Sequence, residues 1–428
     1  MNVELINTGS ELMLGRVLNT HQQWLCRRLA DLGYVVTRQV AVADTGHDIE
    51  QAVREALSRA DLVITTGGLG PTSDDITRDL IAQLLDKKLH EDASIVQHIE
   101  KFFAARKRPM PASTLVQAQV PEGAIVLPNP NGTAPGLAMK VEAASFLSTL
   151  NPQPSTSPKW LVMLPGPPRE LRPMFNDAVV PLLHRELPLD DEFVCRTLRT
   201  VGIGESQAAD RIGKLLQPLI AQGMDLGYCA HIGAVDVRFA AKGPIATQLV
   251  SEAEAIVRNE LNRHIFGEGD ETLESVIVRL LTERSQTLAL AESCTGGGIA
   301  NRITNVPGAS AVLLASLVTY ANEAKQKFVG VRSETLATHG AVSEAVAKEM
   351  AAGARRETGE DYALSVTGIA GPGGGTEAKP VGTVFIGFAS ATETITIKQF
   401  NPFDRETFKN VTGTQALEIL RRKILAIE

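Results

Sequence analysis

Short apolar runs that end in a glycine-bearing turn, each followed by a stretch of helical periodicity, recur through this chain and constrain its fold more than any other feature. Residues 3–7 lead into Thr8-Gly9-Ser10. Trp24, Leu25, Leu29 and Leu32 then repeat at helical spacing until Gly33 stops them, which predicts a helix over 20–32. Residues 34–42 alternate as a strand, 48–60 read as a helix, and Leu62–Thr66 is an apolar run closed by Gly67-Gly68. Such alternation predicts a doubly wound parallel sheet with its sites at the carboxyl ends of the strands.

The breaker-rich run 151–158 reads as a surface loop, after which 160–164 returns a strand to the first sheet. Residues 194–201, 205–216, 226–241 and 245–261 then read as strand, helix, strand, helix, a small α+β unit. Gly267 to Glu271 reads as a hinge. A second α/β pattern begins at Leu273 and closes with a helix over 411–427. A chain of 428 residues has room for two or three cores. The expected fold class is α/β: two α/β domains, 1–172 and 267–428, joined by an α+β connector at 173–266.

The formal net charge is -7, which does not favour general binding to nucleic acid or anionic membrane. Cys26, Cys195, Cys229 and Cys294 are scattered without a CxxC pair, and the eight histidines form no HxH or HExxH pattern. Neither a disulfide framework nor a zinc site is indicated. Met1 leads straight into the first apolar run, and no apolar run approaches membrane-spanning length. A cytoplasmic protein without a membrane partner is expected.

In the first domain, Thr65-Thr66-Gly67-Gly68-Leu69-Gly70-Pro71-Thr72-Ser73-Asp74-Asp75 carries the strongest local signal. Its glycines let backbone N–H groups approach an anion, and Thr72 or Ser73 is placed to cap the next helix. Asp74 and Asp75 are expected in that helix's first turn, either holding a divalent cation against phosphate oxygens or acting as plain acidic caps. Thr8-Gly9-Ser10-Glu11, the 128–136 segment around Asn131-Gly132-Thr133, and 164–170 are turn clusters beside apolar runs. As strand ends of one domain they should converge on one crevice. In the connector, Gly202-Ile203-Gly204-Glu205 resembles the strand-turn-helix of a KH fold. The phosphate clamp of that fold needs two residues between its glycines and here there is one, so the unit reads as KH-like but not RNA-binding.

The second domain carries Ala291-Glu292-Ser293-Cys294-Thr295-Gly296-Gly297-Gly298 and, one helix-and-strand unit later, Thr319-Tyr320-Ala321-Asn322-Glu323-Ala324-Lys325. A hydroxyl nucleophile is inert at neutral pH unless a base takes its proton, and a Lys of lowered pKa can do so. Helix capping by Ser and Thr beside a surface Lys is the alternative. The glycine segment from Thr367 and Gly368 to Gly375, including Gly371, offers N–H groups to a phosphate or oxyanion, or forms a hairpin-like loop. Arg405 supplies a guanidinium suited to a phosphate or carboxylate. His339 receives no role.

Together these segments resemble the full-length CinA (competence/damage-inducible protein) family across essentially the whole chain. TGSEL, TTGGLGPTSDD, NPNGTAPG and LPGPPREL resemble its amino-terminal domain, which is similar to molybdopterin-binding domains. AESCTGG, VTYANEAK, HGAVSE, SVTGIAGPGGG and KPVGTV resemble its carboxy-terminal domain. The resemblance implies a nicotinamide-nucleotide amidase that needs no cofactor, with Ser293 as nucleophile, Lys325 as base and Tyr320 beside them. Thr295, Gly296, Gly297, Asn322, Thr367, Gly368, Gly371 and Arg405 fall around the substrate, nicotinamide mononucleotide. For the first domain it implies ADP-ribose pyrophosphatase activity. Ser10, Glu11, Gly67, Gly68, Gly70, Thr72, Asn131, Gly132 and Thr133 would lie around that substrate, with Asp74 and Asp75 on a divalent metal. A homodimer is expected. Rival readings are a molybdopterin-binding protein and a non-enzymatic competence partner.

Overall fold

The computed structural model describes residues 1–142 and 159–427, so the expected surface loop at 151–158 lies outside the described residues. The fold is mixed α/β and divides into two compact units, Met1–Phe193 and Val194–Glu428.

In the first unit, β1 (Asn2–Thr8) pairs in parallel with β2 (Val35–Val42) and β3 (Leu62–Thr66). A short ribbon, β4 (Leu89–Glu91) with β5 (Gln119–Pro121), stands apart. β6 (Ile125–Leu127), β7 (Gly136–Val141) and β8 (Lys159–Leu164) complete a six-stranded sheet of order β2-β1-β3-β8-β7-β6. β8 returns in parallel beside β3, as its apolar run predicted. The sheet is not wholly parallel, because β7 and β6 add antiparallel to its edge. β3 and β8 are buried at every residue, as strands covered on both faces must be. One face packs under Ile49, Val53 and Ile81, and the other under Leu25, Leu29 and Phe175.

The expected division at 172 cuts a helical segment, Pro168–Met174 running through Phe175–Val179 into Val180–Glu186. Leu171, Met174, Phe175, Val179 and Leu183 on it are buried with Val3 and Leu5 of β1. Their burial carries the first core past 172.

In the second unit, β9 (Phe193–Val201), β10 (Asp225–His231), β11 (Ala234–Lys242) and β12 (Ile265–Glu268) form a sheet of order β10-β11-β9-β12. Helices Glu205–Ile220 and Ala246–Leu261 bury their apolar faces against it. The run 226–241, expected as one strand, is a hairpin turned at Gly233 in the left-handed region. The expected hinge at 267–271 is partly strand, since Gly267 and Glu268 pair antiparallel with β9.

The remaining sheet has the order β14-β13-β15-β16-β17, from β13 (Leu288–Glu292), β14 (Leu313–Val318), β15 (Tyr362–Gly368), β16 (Thr383–Ala389) and β17 (Thr394–Phe400). β13 lies between β14 and β15, parallel to both, while β16 and β17 are antiparallel additions. The closing helix Arg405–Leu425 starts six residues earlier than the spacing predicted. It holds the KH-like sheet through the buried pair Glu418–Arg421, whose guanidinium also donates to the carbonyls of Arg263 and Ile265.

Candidate active site

β13 delivers Ser293 to the carboxyl edge of its sheet, at the centre of three parallel strands. The turn that follows is built around Glu292, a carboxylate only 1% exposed. Its Oε2 accepts from Thr295 Oγ1 at 2.6 Å, Gly297 N–H at 3.0 Å and Ile299 N–H at 3.1 Å, and its Oε1 from Ala300 N–H at 2.9 Å. One buried carboxyl group thus satisfies free N–H groups at the start of helix Gly298–Thr304, whose N-cap residue supplies no side-chain hydrogen bond. Gly296 and Gly297 adopt φ of 64° and 91°, which a side chain would resist.

The N–H groups of Gly296 and Gly298 also bond within the turn, to Ser293 O and Thr295 O. Gly296, Gly297 and Gly298 therefore have no N–H left for a substrate. Among the described residues, the N–H groups of Cys294 and Thr295 are those of the turn without an oxygen acceptor, and both face the Cys294 sulfur. Sequence reasoning missed Glu292, which looks like the end of an apolar strand. Its signal was a carboxylate directly before a nucleophile at a helix start.

Lys325 comes from the helix Asn322–Val329, which follows β14. Its Nζ lies 3.0 Å from Ser293 Oγ, 2.8 Å from Thr319 O and 3.1 Å from Tyr320 O. The residue is 1% exposed and, among the described residues, no carboxylate pairs with it, and burial pushes the ammonium below the usual lysine range. A neutral amine donates two hydrogens and keeps one lone pair. In that neutral form, with both carbonyls taking the hydrogens, the lone pair would face the Ser293 hydroxyl. The arrangement puts a buried amine against a hydroxyl, and plain helix capping accounts for neither the burial nor the contact. Cys294 beside it is no rival, because burial pushes its thiol up to about 12. The Thr295 hydroxyl is spent on Glu292.

The position of Lys325 depends on a close helix contact. A Cβ at Gly353, in helix Glu344–Thr358, would lie 1.7 Å from Val329 O at the end of the lysine's helix. Alanine gains about 1 kcal/mol over glycine in a helix interior, but a backbone carbonyl cannot step aside. We expect Gly353→Ala to destabilise the protein by about 1–3 kcal/mol and to lower turnover as Lys325 is displaced. Denaturant midpoints and kcat measured together check this.

The open side of the site is a cationic rim. Arg405 Nη2 donates to Tyr320 Oη at 3.0 Å and its Nη1 to Gly371 O at 2.9 Å. The guanidinium thus braces the exposed Tyr320 ring and the glycine loop together. Lys409, one turn on, sits over the nucleophile's turn, 3.8 Å from where a Cβ on Gly296 would be. Lys409 escaped the sequence reading because the closing helix was expected to begin only at 411. Asn322 is exposed at the start of the lysine's helix, whereas Thr367 is buried and donates to Ala341 O. Gly368 is packed against Thr383 O and Val384 of β16. The glycine loop itself joins two antiparallel strands, so it is a hairpin connection as well as a rim.

In the first unit, strand ends converge as expected. A cleft of about 410 Å³ is lined by Thr8, Glu11, Gly67, Gly68, Gly70, Asp74, Asp75 and Thr133 from the anticipated segments. Asp44, Gln117 and Glu170 also line it, from segments the sequence reading passed over or named only in passing. Ser10, Thr72, Asn131 and Gly132 serve the walls instead. Ser10 exchanges hydrogen bonds with Asp44, Asn131 N–H bonds Asn129 Oδ1, and Gly132 leaves room for the Glu170 carboxylate.

Asp74 and Asp75 do not sit in a helical turn. The helix begins at Thr77, and neither Thr72 nor Ser73 caps it. Asp75 accepts from Thr72 N–H at 3.0 Å and from the Thr72 hydroxyl, in a tight turn that Gly70 alone leaves space for. Asp74 is exposed beside it. Among the described residues, no three His, Cys, Asp or Glu side chains gather closely enough to hold a metal alone. None forms a helix long and apolar enough to cross a membrane.

The model of the CinA C-terminal domain matches residues 270–424, that of the damage-inducible protein CinA KH domain matches 195–267, and one described as "Probable molybdopterin binding domain" matches 4–185. A CinA-like protein of Akkermansia muciniphila is 42% identical, covering 97% of this chain and 96% of its own. Another, of Kosmotoga olearia, is 40% identical over all of both chains. Among solved structures, the competence/damage inducible protein CihA from Agrobacterium tumefaciens is 40% identical, covering 35% of this chain and 92% of its own, at a TM-score of 0.34.

Proposed function

This chain belongs to the CinA family, and we propose that its carboxy-terminal domain hydrolyses the carboxamide of nicotinamide mononucleotide to nicotinate mononucleotide and ammonia. The observation that carries this reading is the buried Lys325 amine 3.0 Å from Ser293 Oγ. Ser293 attacks the carboxamide carbon and its proton passes to Lys325 Nζ. The N–H groups of Cys294 and Thr295 receive the oxyanion. Lys325 returns the proton to the departing nitrogen, ammonia leaves, and water cleaves the acyl-enzyme. Arg405 and Lys409 hold the nucleotide phosphate, which supplies positioning energy away from the reacting bond.

Ammonia release from nicotinamide mononucleotide by the full chain, followed against pH, tests this. Because burial depresses the Lys325 pKa, the neutral amine persists below the usual lysine range. Activity should persist below the pH at which an ordinary lysine gains its proton and fall as pH drops through the lowered value, when Lys325 is protonated. No ammonia release at any pH would sink the assignment.

For the first unit we propose metal-dependent cleavage of ADP-ribose to AMP and ribose 5-phosphate. Among the described residues, its cleft is lined by Glu11, Asp44, Asp74, Asp75 and Glu170 and by no Lys, Arg or His. A diphosphate enters such a cleft only with a cation. Magnesium fits this set, since it takes one or two carboxylates and completes its shell with substrate phosphates and water. Asp74 and Asp75 would hold it, and the bound ion would neutralise charge on the diphosphate.

A further inference from the structure

Glu292 closes β13 one residue before the nucleophile, and its main chain and side chain serve different halves of the Ser293–Lys325 pair. Its carbonyl accepts from Thr319 N–H at 2.8 Å, and Thr319 O in turn accepts from Lys325 Nζ at 2.8 Å. On the other side, Ser293 N–H donates to Val366 O of β15 at 3.0 Å. The amine is therefore tied to β13 through main-chain groups alone.

The side chain holds the turn that follows. One hydroxyl and three N–H groups, from Thr295, Gly297, Ile299 and Ala300, converge on its carboxyl, three of the bonds on Oε2 and one on Oε1. Both oxygens act as acceptors. The turn has no other support of this kind, because its N-cap Gly297 is left-handed, with φ of 91°, and brings no side chain. An apolar residue at 292 would leave these N–H groups without a partner. None of the four bonds involves Ser293 Oγ or Lys325 Nζ.

Resting on the deamidation reading for its reaction, we propose that Glu292 is a positioning residue, whose carboxyl fixes the turn that aims Ser293 Oγ while Lys325 keeps its place without it. Geometry is what it supplies, since a reacting group displaced by about 1 Å loses on the order of 100-fold in rate.

Glu292→Gln in the full chain tests this. The amide keeps the shape and exchanges one acceptor for an NH2 donor. With its nitrogen at the Oε1 position it meets Ala300 N–H, and at the Oε2 position those of Gly297 and Ile299. In either orientation a donor faces a donor. For nicotinamide mononucleotide, kcat should fall about tenfold with KM unchanged, because Arg405 and Lys409 lie on the closing helix. The pH at which activity falls should stay, because burial first and Cys294 second govern the Lys325 titration. Thr295→Val removes one of the four donors and leaves the carboxyl; it should lower kcat about threefold, and by less when combined with Glu292→Gln.

An alkyl fluorophosphonate gives a readout independent of the nucleotide. Ser293 Oγ forms the new bond to phosphorus, fluoride leaves, and the hydroxyl proton passes to Lys325 Nζ. This labelling should also slow about tenfold in Glu292→Gln.

Wild-type kcat in Glu292→Gln at a lowered melting temperature would leave Glu292 a role in stability only. A shifted pH limb would place its effect on the charge of Lys325, and a raised KM at unchanged kcat would place it on binding; each overturns the proposal. Should Glu292→Gln fail to fold, Thr295→Val decides, and wild-type kcat there overturns it. If labelling of Ser293 slows in Glu292→Gln while the wild-type protein releases no ammonia, the positioning role stands and the deamidation reading falls. Equal labelling rates in protein that does deamidate overturn the positioning role alone.

Discussion

Ser293→Ala and Lys325→Ala should each abolish deamidation, with kcat falling by about 10³-fold or more, and the double variant should be little worse than either. The two groups act as a unit, since the hydroxyl is reactive only when the amine takes its proton, and among the described residues Ser293 Oγ is the hydroxyl hydrogen-bonded to Nζ. Lys325→Met keeps the shape of a buried stem and removes only the base, so the same loss there assigns the effect to chemistry and not to a cavity. Cys294→Ala should retain turnover, because a thiol pushed up to about 12 supplies no thiolate at neutral pH. Thiol alkylation could still block the site sterically. A Ser293→Ala protein with wild-type turnover would remove the serine from the mechanism altogether.

What could be read from the sequence followed periodicity and turn chemistry. The order of strands and helices, the return of β8 beside β3, and the pairing of Ser293 with Lys325 across two strand ends all follow from where apolar runs meet glycine turns. The misreadings have physical causes. Antiparallel β7 and β6 carry the same apolar pattern as parallel strands, and pairing direction is not a local property. The β10–β11 hairpin hid inside one continuous run because a tight turn at Gly233 interrupts the alternation for only a residue or two. Asp75 looked like a helix cap, yet its carboxylate closes a turn on Thr72 two residues before the helix starts.

Contributions made at a distance were the hardest to see. Lys409 reaches the nucleophile's turn from a helix whose start the sequence placed six residues late. Glu292 is a buried carboxyl group satisfied by the N–H groups and the Thr295 hydroxyl that fold back onto it.

The same local geometry separates the roles of the acidic pair in the first unit. With both Asp74→Asn and Asp75→Asn, magnesium-dependent hydrolysis of ADP-ribose should fall by about 100-fold or more, since the remaining carboxylates would have to hold the cation without them. Deamidation should stay at the wild-type rate, because its groups come wholly from the second unit. The single variants should then divide. Asp74 is exposed, so Asp74→Asn changes charge with little effect on stability. Asp75 accepts from both the N–H and the hydroxyl of Thr72, so Asp75→Asn loses a charge-assisted turn as well and should lower the melting temperature. Activity and melting curves measured on the three proteins distinguish the cases. Hydrolysis unchanged in the double variant, with a lowered melting temperature in Asp75→Asn alone, would leave Asp75 as a turn residue and return the cleft to a binding role. Loss of hydrolysis in Asp74→Asn at an unchanged melting temperature would tie the activity to negative charge at the cleft and to nothing in the fold.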